Sequence, residues 1–143
     1  MATDRTAEVT WRGSLMEGDG TVDRVGSGAF GPLDVTWASR AEDPAGRTSP
    51  EELIAAAHAS CYSMALSHGL AQDGTPPDQL STTATVTFVP GTGITKVALT
   101  VRATVPGIDA DAFLAKAEGA KANCPVSKAL AGVPEITLDA TLV

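Results

Sequence analysis

At 143 residues, with 43% hydrophobic and 19% charged side chains, the chain has the size and make-up of one soluble globular domain, residues 1–143, with enough apolar mass for a real core. A formal charge of -7, with ten scattered Lys and Arg residues, argues against a nucleic-acid partner, because a phosphate backbone is met by clustered basic groups. No apolar run approaches the length of a membrane span, and the N-terminal MATDRTAEV has no apolar signal core, so the expected location is cytoplasmic with no membrane partner.

Taken in order, Ala7 to Gly13 alternates as a strand does, Glu17-Gly18-Asp19-Gly20 is a turn, and Thr21 to Val25 and Leu33 to Ser39 read as two further strands. The loop from Arg40 to Gly46 feeds the dominant element of the chain. From Thr48 to Leu70 an Ala-rich run without internal Pro predicts a helix of roughly five turns. Ser49 is its N-cap, Pro50 its first helical position, and Glu52 completes an S-x-x-E capping box. Ile54, Ala57, His58, Cys61, Met64, Ala65 and His68 form its expected buried face. Pro76-Pro77 blocks continuation.

Ser81 to Val89 and Ile94 to Val105 are Val- and Thr-rich strands joined by Pro90-Gly91-Thr92-Gly93 as a hairpin. A second helix runs from the N-cap Asp109 to Ala122 with Phe113, Leu114, Ala117 and Ala120 as its stripe. Asn123-Cys124-Pro125 interrupts it, Pro125 to Ala131 starts a fresh turn, and Glu135 to Leu142 closes the chain as a strand. The order βββ-α-ββ-α-α-β fits an α+β domain of antiparallel sheets around the long helix.

Two cysteines in a chain of this kind do not suggest a permanent structural bridge. They read as inert buried thiols, a redox or catalytic pair, or half of a metal site. Cys61 lies mid-helix, and a nucleophilic role needs a cation, an imidazolium or a helix N-terminus to hold its thiolate. His58, one turn earlier, reads first as a packing or hydrogen-bonding residue and second as that imidazolium. Cys124, just before Pro125, lies where the dipole of the new helical turn favours a thiolate. Zinc is the weakest option, since Cys61, Cys124, His58 and His68 offer no C-x-x-C pair. Glu51 reads by itself as a first-turn acid complementing the helix dipole.

The run Ser49 to Ser67, SPEELIAAAHASCYSMALS, resembles the first-cysteine helix of the OsmC/Ohr family, and more narrowly its osmotically inducible OsmC branch. Asn123 to Leu130, NCPVSKAL, resembles the segment around that family's second cysteine, and further echoes lie at Ile94 to Leu99, Val105 to Ala110 and Glu135 to Asp139. The resemblance covers nearly the whole chain. It implies an intertwined homodimer that reduces organic hydroperoxides, and hydrogen peroxide as a further substrate, without metal, haem or flavin. It further implies Cys61 as the peroxidatic and Cys124 as the resolving cysteine, joined as a disulfide that an external dithiol reduces, either a lipoylated protein or a small dithiol. Glu51 matches the acid of the P-E-x-L motif, and Arg40 the activating arginine, with Arg47 and Arg12 behind it.

Ten helical residues separate Glu51 from Cys61, about 15 Å of rise, so Glu51 cannot serve the Cys61 of its own helix directly. Either an arginine bridges the gap or the acid comes from a second subunit. Two other readings stand beside the peroxidase: a dimeric stress protein that binds a hydrophobic ligand, its thiols incidental, and a thiol redox sensor. The apolar wall around Cys61 draws its candidates from Met64, Phe30 and Phe113.

Overall fold

The computed structural model describes residues 1–143, which form two compact units, Met1–Leu53 and Ile54–Val143. The boundary falls inside the long helix. No helix is long and apolar enough to cross a membrane.

The first unit is an antiparallel three-stranded sheet in the order β1 (Ala7–Arg12), β2 (Asp19–Val25), β3 (Leu33–Val35). Trp11 of β1 lies opposite Gly20 of β2, and a Cβ there would meet the indole at 2.5 Å, so the ring rests on bare backbone. The strand expected from Leu33 to Ser39 stops at Val35. Thr36 caps a short helix instead, α1 (Trp37–Ala41), through a reciprocal capping box. Its hydroxyl accepts from the Ser39 N–H at 3.0 Å, and Ser39 Oγ accepts from the Thr36 N–H at 2.9 Å. The TWAS tetrapeptide alternates like a strand, but its Thr and Ser side chains satisfy a helix start.

The long helix α2 spans Pro50–Gln72. As the sequence predicts, Ser49 Oγ accepts from the Glu52 N–H at 3.2 Å. The Glu52 carboxylate, expected to return to the cap, accepts instead from the Thr48 hydroxyl at 3.0 Å.

The second unit holds the rest of α2, the hairpin β4 (Gln79–Val89) and β5 (Gly93–Thr104), the helices α3 (Ala110–Asn123) and α4 (Pro125–Ala129), and β6 (Glu135–Leu142). The hairpin is antiparallel and the strand order is β4-β5-β6, but β6 runs parallel to β5. The α3–α4 segment is the crossover that such pairing requires, because it returns the chain to the end where β5 began. One face of β5, Val97, Leu99, Val101 and Ala103, is buried at a period of two, as strand geometry dictates.

Against that face lies a core that includes Tyr62, Leu66 and Leu70 of α2 with Phe113 and Ala117 of α3. The buried line of α2 is therefore His58, Tyr62, Leu66 and Leu70, at four-residue spacing. The expected face was misphased: Met64 is 71% exposed, and Ala57 and His68 are exposed too. Ala and other small residues surround this helix on all sides, so its apolar periodicity carries almost no phase. The stripe of α3 holds at Phe113, Ala117 and Ala120, but Leu114 turns outward at 48% exposure, whereas Phe113 keeps 1%.

This contrast is measurable. Phe113→Ala should cost about 3–5 kcal/mol in urea unfolding, while Leu114→Ala should stay within about 0.5 kcal/mol of the parent.

Candidate active site

Two groups of functional side chains are assembled, one in each unit. In the first, β3 and the start of α2 are tied together: the Thr48 N–H donates to the Asp34 carbonyl at 3.0 Å, and Ser39 Oγ donates to the Thr48 carbonyl at 2.9 Å. These bonds bring the last turn of α1 to the first turn of α2. Arg40 and Glu51 meet there. Arg40 Nε donates to both carboxylate oxygens of Glu51, at 3.0 and 3.2 Å, and Nη2 donates to Oε1 at 2.8 Å. The Glu51 side chain is 8% exposed and the arginine 30%, so the carboxylate holds the fork from its buried side. Arg12 and Arg47, the reserve candidates, are both exposed, Arg12 on β1 and Arg47 in the loop before α2, where Asp19 and Asp34 line the same small cavity.

In the second unit the two cysteines come together. Cys61 projects from the middle of α2, half-buried, and Cys124 is fully buried at the break between α3 and α4. Both are free thiols and each acts on the other. The break follows from Pro125. The Cys124 N–H still donates to the Ala120 carbonyl at 2.9 Å and ends α3, but Pro125 has no N–H to continue the ladder. Helix α4 starts afresh with Cys124 as its N-cap, and no side chain caps it with a well-formed hydrogen bond. The open N–H groups of its first turn act electrostatically on the two sulfurs.

The two thiols are not equivalent. Burial pushes the Cys61 thiol up, the Val126 N–H opposes this, and the neighbouring Cys124 thiol reinforces it. Burial also pushes Cys124 up, but the Ser127 N–H, the Cys61 thiol, the Val126 N–H and the Ser127 hydroxyl outweigh it and bring it below the ordinary range. In the reduced chain the anion is thus favoured on Cys124, and none of the groups bearing on Cys61 is a cation. The amides at the start of α4 act on Cys124 in the direction of the thiolate. Cys61 is pushed the other way by the groups that bear on it.

His58 is fully buried, and its Nε2 lies 2.7 Å from Ser127 Oγ. Burial lowers its proton affinity below the ordinary histidine range, so it is a neutral ring, the hydrogen-bonding residue of the first reading and not the imidazolium of the second. Tyr62, beside Cys61, is also buried; its hydroxyl donates to the Ala117 carbonyl at 3.1 Å. Ser127 was missed by sequence reasoning, although its position three residues after Cys124, where a side chain reaches back over the cap, carried the signal. Of the residues expected to wall Cys61, Phe113 belongs to the core and Met64 is exposed, while Phe30 lies in the first unit. No group of three or more His, Cys, Asp or Glu side chains is arranged to hold a metal ion.

The family model described as OsmC-like protein matches residues 42–139, which include Glu51, both cysteines and their helices. The chain belongs to the OsmC family. A relative from Escherichia coli (strain K12), called Peroxiredoxin OsmC, is 43% identical over 142 residues, covering 97% of this chain and 96% of its own. The organic hydroperoxide resistance protein OhrB of Bacillus subtilis is 26% identical, with a TM-score of 0.64 over 96% of this chain and 98% of that one. An organic hydroperoxide resistance protein from Elizabethkingia anophelis, 22% identical, shares the fold over 100% of both chains with a TM-score of 0.68. In this OsmC-family chain the α+β class read from the sequence therefore stands.

The buried neutral His58 has a consequence for stability. Below about pH 6.5 the unfolded chain protonates this imidazole while the folded chain resists, so the unfolded state binds more protons and stability drops as the pH is lowered. Urea midpoints measured between neutral and mildly acidic pH should show that fall. In His58→Gln its slope should flatten by up to about 1.4 kcal/mol per pH unit.

Proposed function

We propose that this OsmC-family chain is a thiol peroxidase, reducing organic hydroperoxides to alcohols and hydrogen peroxide to water through paired oxidation of Cys61 and Cys124. The observation that carries this reading is the facing of two free thiols, one half-buried and one fully buried, at a single opened helical turn. The peroxiredoxin name of the Escherichia coli relative and the hydroperoxide-resistance name of the Bacillus subtilis protein support it.

The chemistry is a two-electron exchange between sulfur and oxygen. The Cys61 thiolate attacks one peroxide oxygen and the O–O bond breaks. The other oxygen leaves as alkoxide, or as hydroxide from hydrogen peroxide, and takes a proton; Cys61 is left as a sulfenic acid. Cys124 then attacks the Cys61 sulfur, the S–S bond forms and the S–O bond breaks, and hydroxide leaves to become water. An external dithiol, a lipoylated protein or a small dithiol, reduces the disulfide by exchange and is itself oxidised.

The first step needs a cation that the neighbours of Cys61 do not supply. In this reading it is Arg40, braced by Glu51, favouring the thiolate and polarising the peroxide. Since Glu51 lies about 15 Å of helical rise before Cys61, the pair is supplied by a second copy of the chain. The exposed α2 face of Ala56, Ala57 and Ser60, with Met64, suits the close packing of two helices in a symmetric homodimer.

Mass spectrometry after one equivalent of cumene hydroperoxide tests the reading. The parent protein should lose two hydrogens as a disulfide, Cys124→Ser should gain one oxygen, and Cys61→Ser should do neither. Arg40→Ala should lower the oxidation rate on the order of 10²-fold, and mixing it with Cys61→Ser should restore part of the turnover if sites span two copies. Unaltered oxidation of Cys61→Ser would exclude the peroxidase and leave a ligand-binding or sensor role.

A further inference from the structure

One buried polar group near the thiols has no task in that chemistry. His58 is fully enclosed, yet its Nδ1 has no hydrogen-bond partner, and its Nε2 is committed to Ser127 Oγ at 2.7 Å. The two possible neutral tautomers differ in what they leave bare. A proton on Nδ1 would be a buried donor without an acceptor, the rarer and costlier defect; a proton on Nε2 leaves only a bare lone pair and gives the short contact its donor. The proton therefore sits on Nε2 and is donated to Ser127 Oγ.

That assignment turns the serine hydroxyl. With one lone pair occupied by His58, the hydroxyl proton points away from the ring. Ser127 is itself nearly fully buried and occupies the third position of α4, the helix that Cys124 caps, and its hydroxyl is one of the groups that favour the Cys124 thiolate. We propose that His58 is a positioning residue for the second cysteine: through its Nε2–H it locks the Ser127 hydroxyl as a donor to Cys124 Sγ, and so holds that sulfur as the anion that closes the disulfide. The proposal rests on the peroxidase reading for its place in the cycle. At closure the Cys124 anion forms the S–S bond and is oxidised, the sulfenic sulfur is reduced, and the departing hydroxide takes up the proton that Cys124 released when it ionised.

Other groups face the same sulfur and do not substitute for this one. Cys61 and Tyr62 of α2 are the titratable neighbours, and the Tyr62 phenol, pushed up by burial, with the Glu118 and Cys124 charges adding to it, and donating to the Ala117 carbonyl, stays neutral. The Val126 and Ser127 amides are backbone and persist in side-chain variants.

The test is the ultraviolet absorbance of the Cys124 thiolate against pH in a Cys61→Ser background, which needs neither peroxide nor reagent access. Adding Ser127→Ala should raise the midpoint by roughly one pH unit, His58→Leu should raise it similarly, and Ser127→Thr, which keeps the hydroxyl, should return it to the parent position. Nitrogen NMR of His58 should report a protonated Nε2 and a bare Nδ1. A midpoint indifferent to both Ser127→Ala and His58→Leu, or a proton found on Nδ1, overturns the proposal. If His58→Leu does not fold, the Ala and Thr pair at Ser127 decides alone. The peroxidase reading fails separately, on the absence of a disulfide when the parent protein meets peroxide.

Discussion

The missing N–H of Pro125 is the constraint on which the thiol pair depends. A proline at this point forbids α3 to continue, and the chain must restart as α4 with its first amides unspent. In a buried setting those amides need a negative partner, and the sulfur of Cys124, the residue that caps the new turn, is the group in reach. The same turn delivers Ser127 to His58 and the Val126 amide to Cys61. One imino acid thus brings Cys124 and Ser127 to His58 and Cys61 of a distant helix.

Helix α2 bears functional residues at two points of its length. Its first turn carries Glu51, which is buried and would be strongly disfavoured as a charge without the Arg40 fork. Its middle carries Cys61 and His58, held by the packing of Tyr62, Leu66 and Leu70 against β5 and α3. The packing sets which sulfur ionises. Cys124 collects the larger share of donors and Cys61 the smaller, so the nucleophile for the second step is prepared within the chain, while the first thiol waits for a positive charge from elsewhere.

The pattern along the chain misleads in two places, each for a physical reason. Met64 and Leu114 were assigned to buried stripes and are exposed; both sit in Ala-rich helices where several rotations of the helix offer similar apolar faces. Thr36 to Ser39 was assigned to a strand, since alternation over four residues cannot be told from a Thr–Ser capping box until the next segment, Thr48, is seen to pair beside it.

Local chemistry alone determined the elements with strong punctuation: α2 opened by Ser49-Pro50, the hairpin at Pro90 to Gly93, α3 capped by Asp109, and the break at Pro125. It also marked both cysteines, since a reactive type that occurs twice stands out, whereas Glu51 and Arg40 were marked by the resemblance to the OsmC/Ohr family. The tertiary structure decided the rest: the phase of α2, the parallel pairing of β6, the ion pair across eleven residues, and the link of His58 to Ser127 across sixty-nine. Those depend on which surfaces exclude water together, and the pattern of residues along a single segment does not say which surfaces meet.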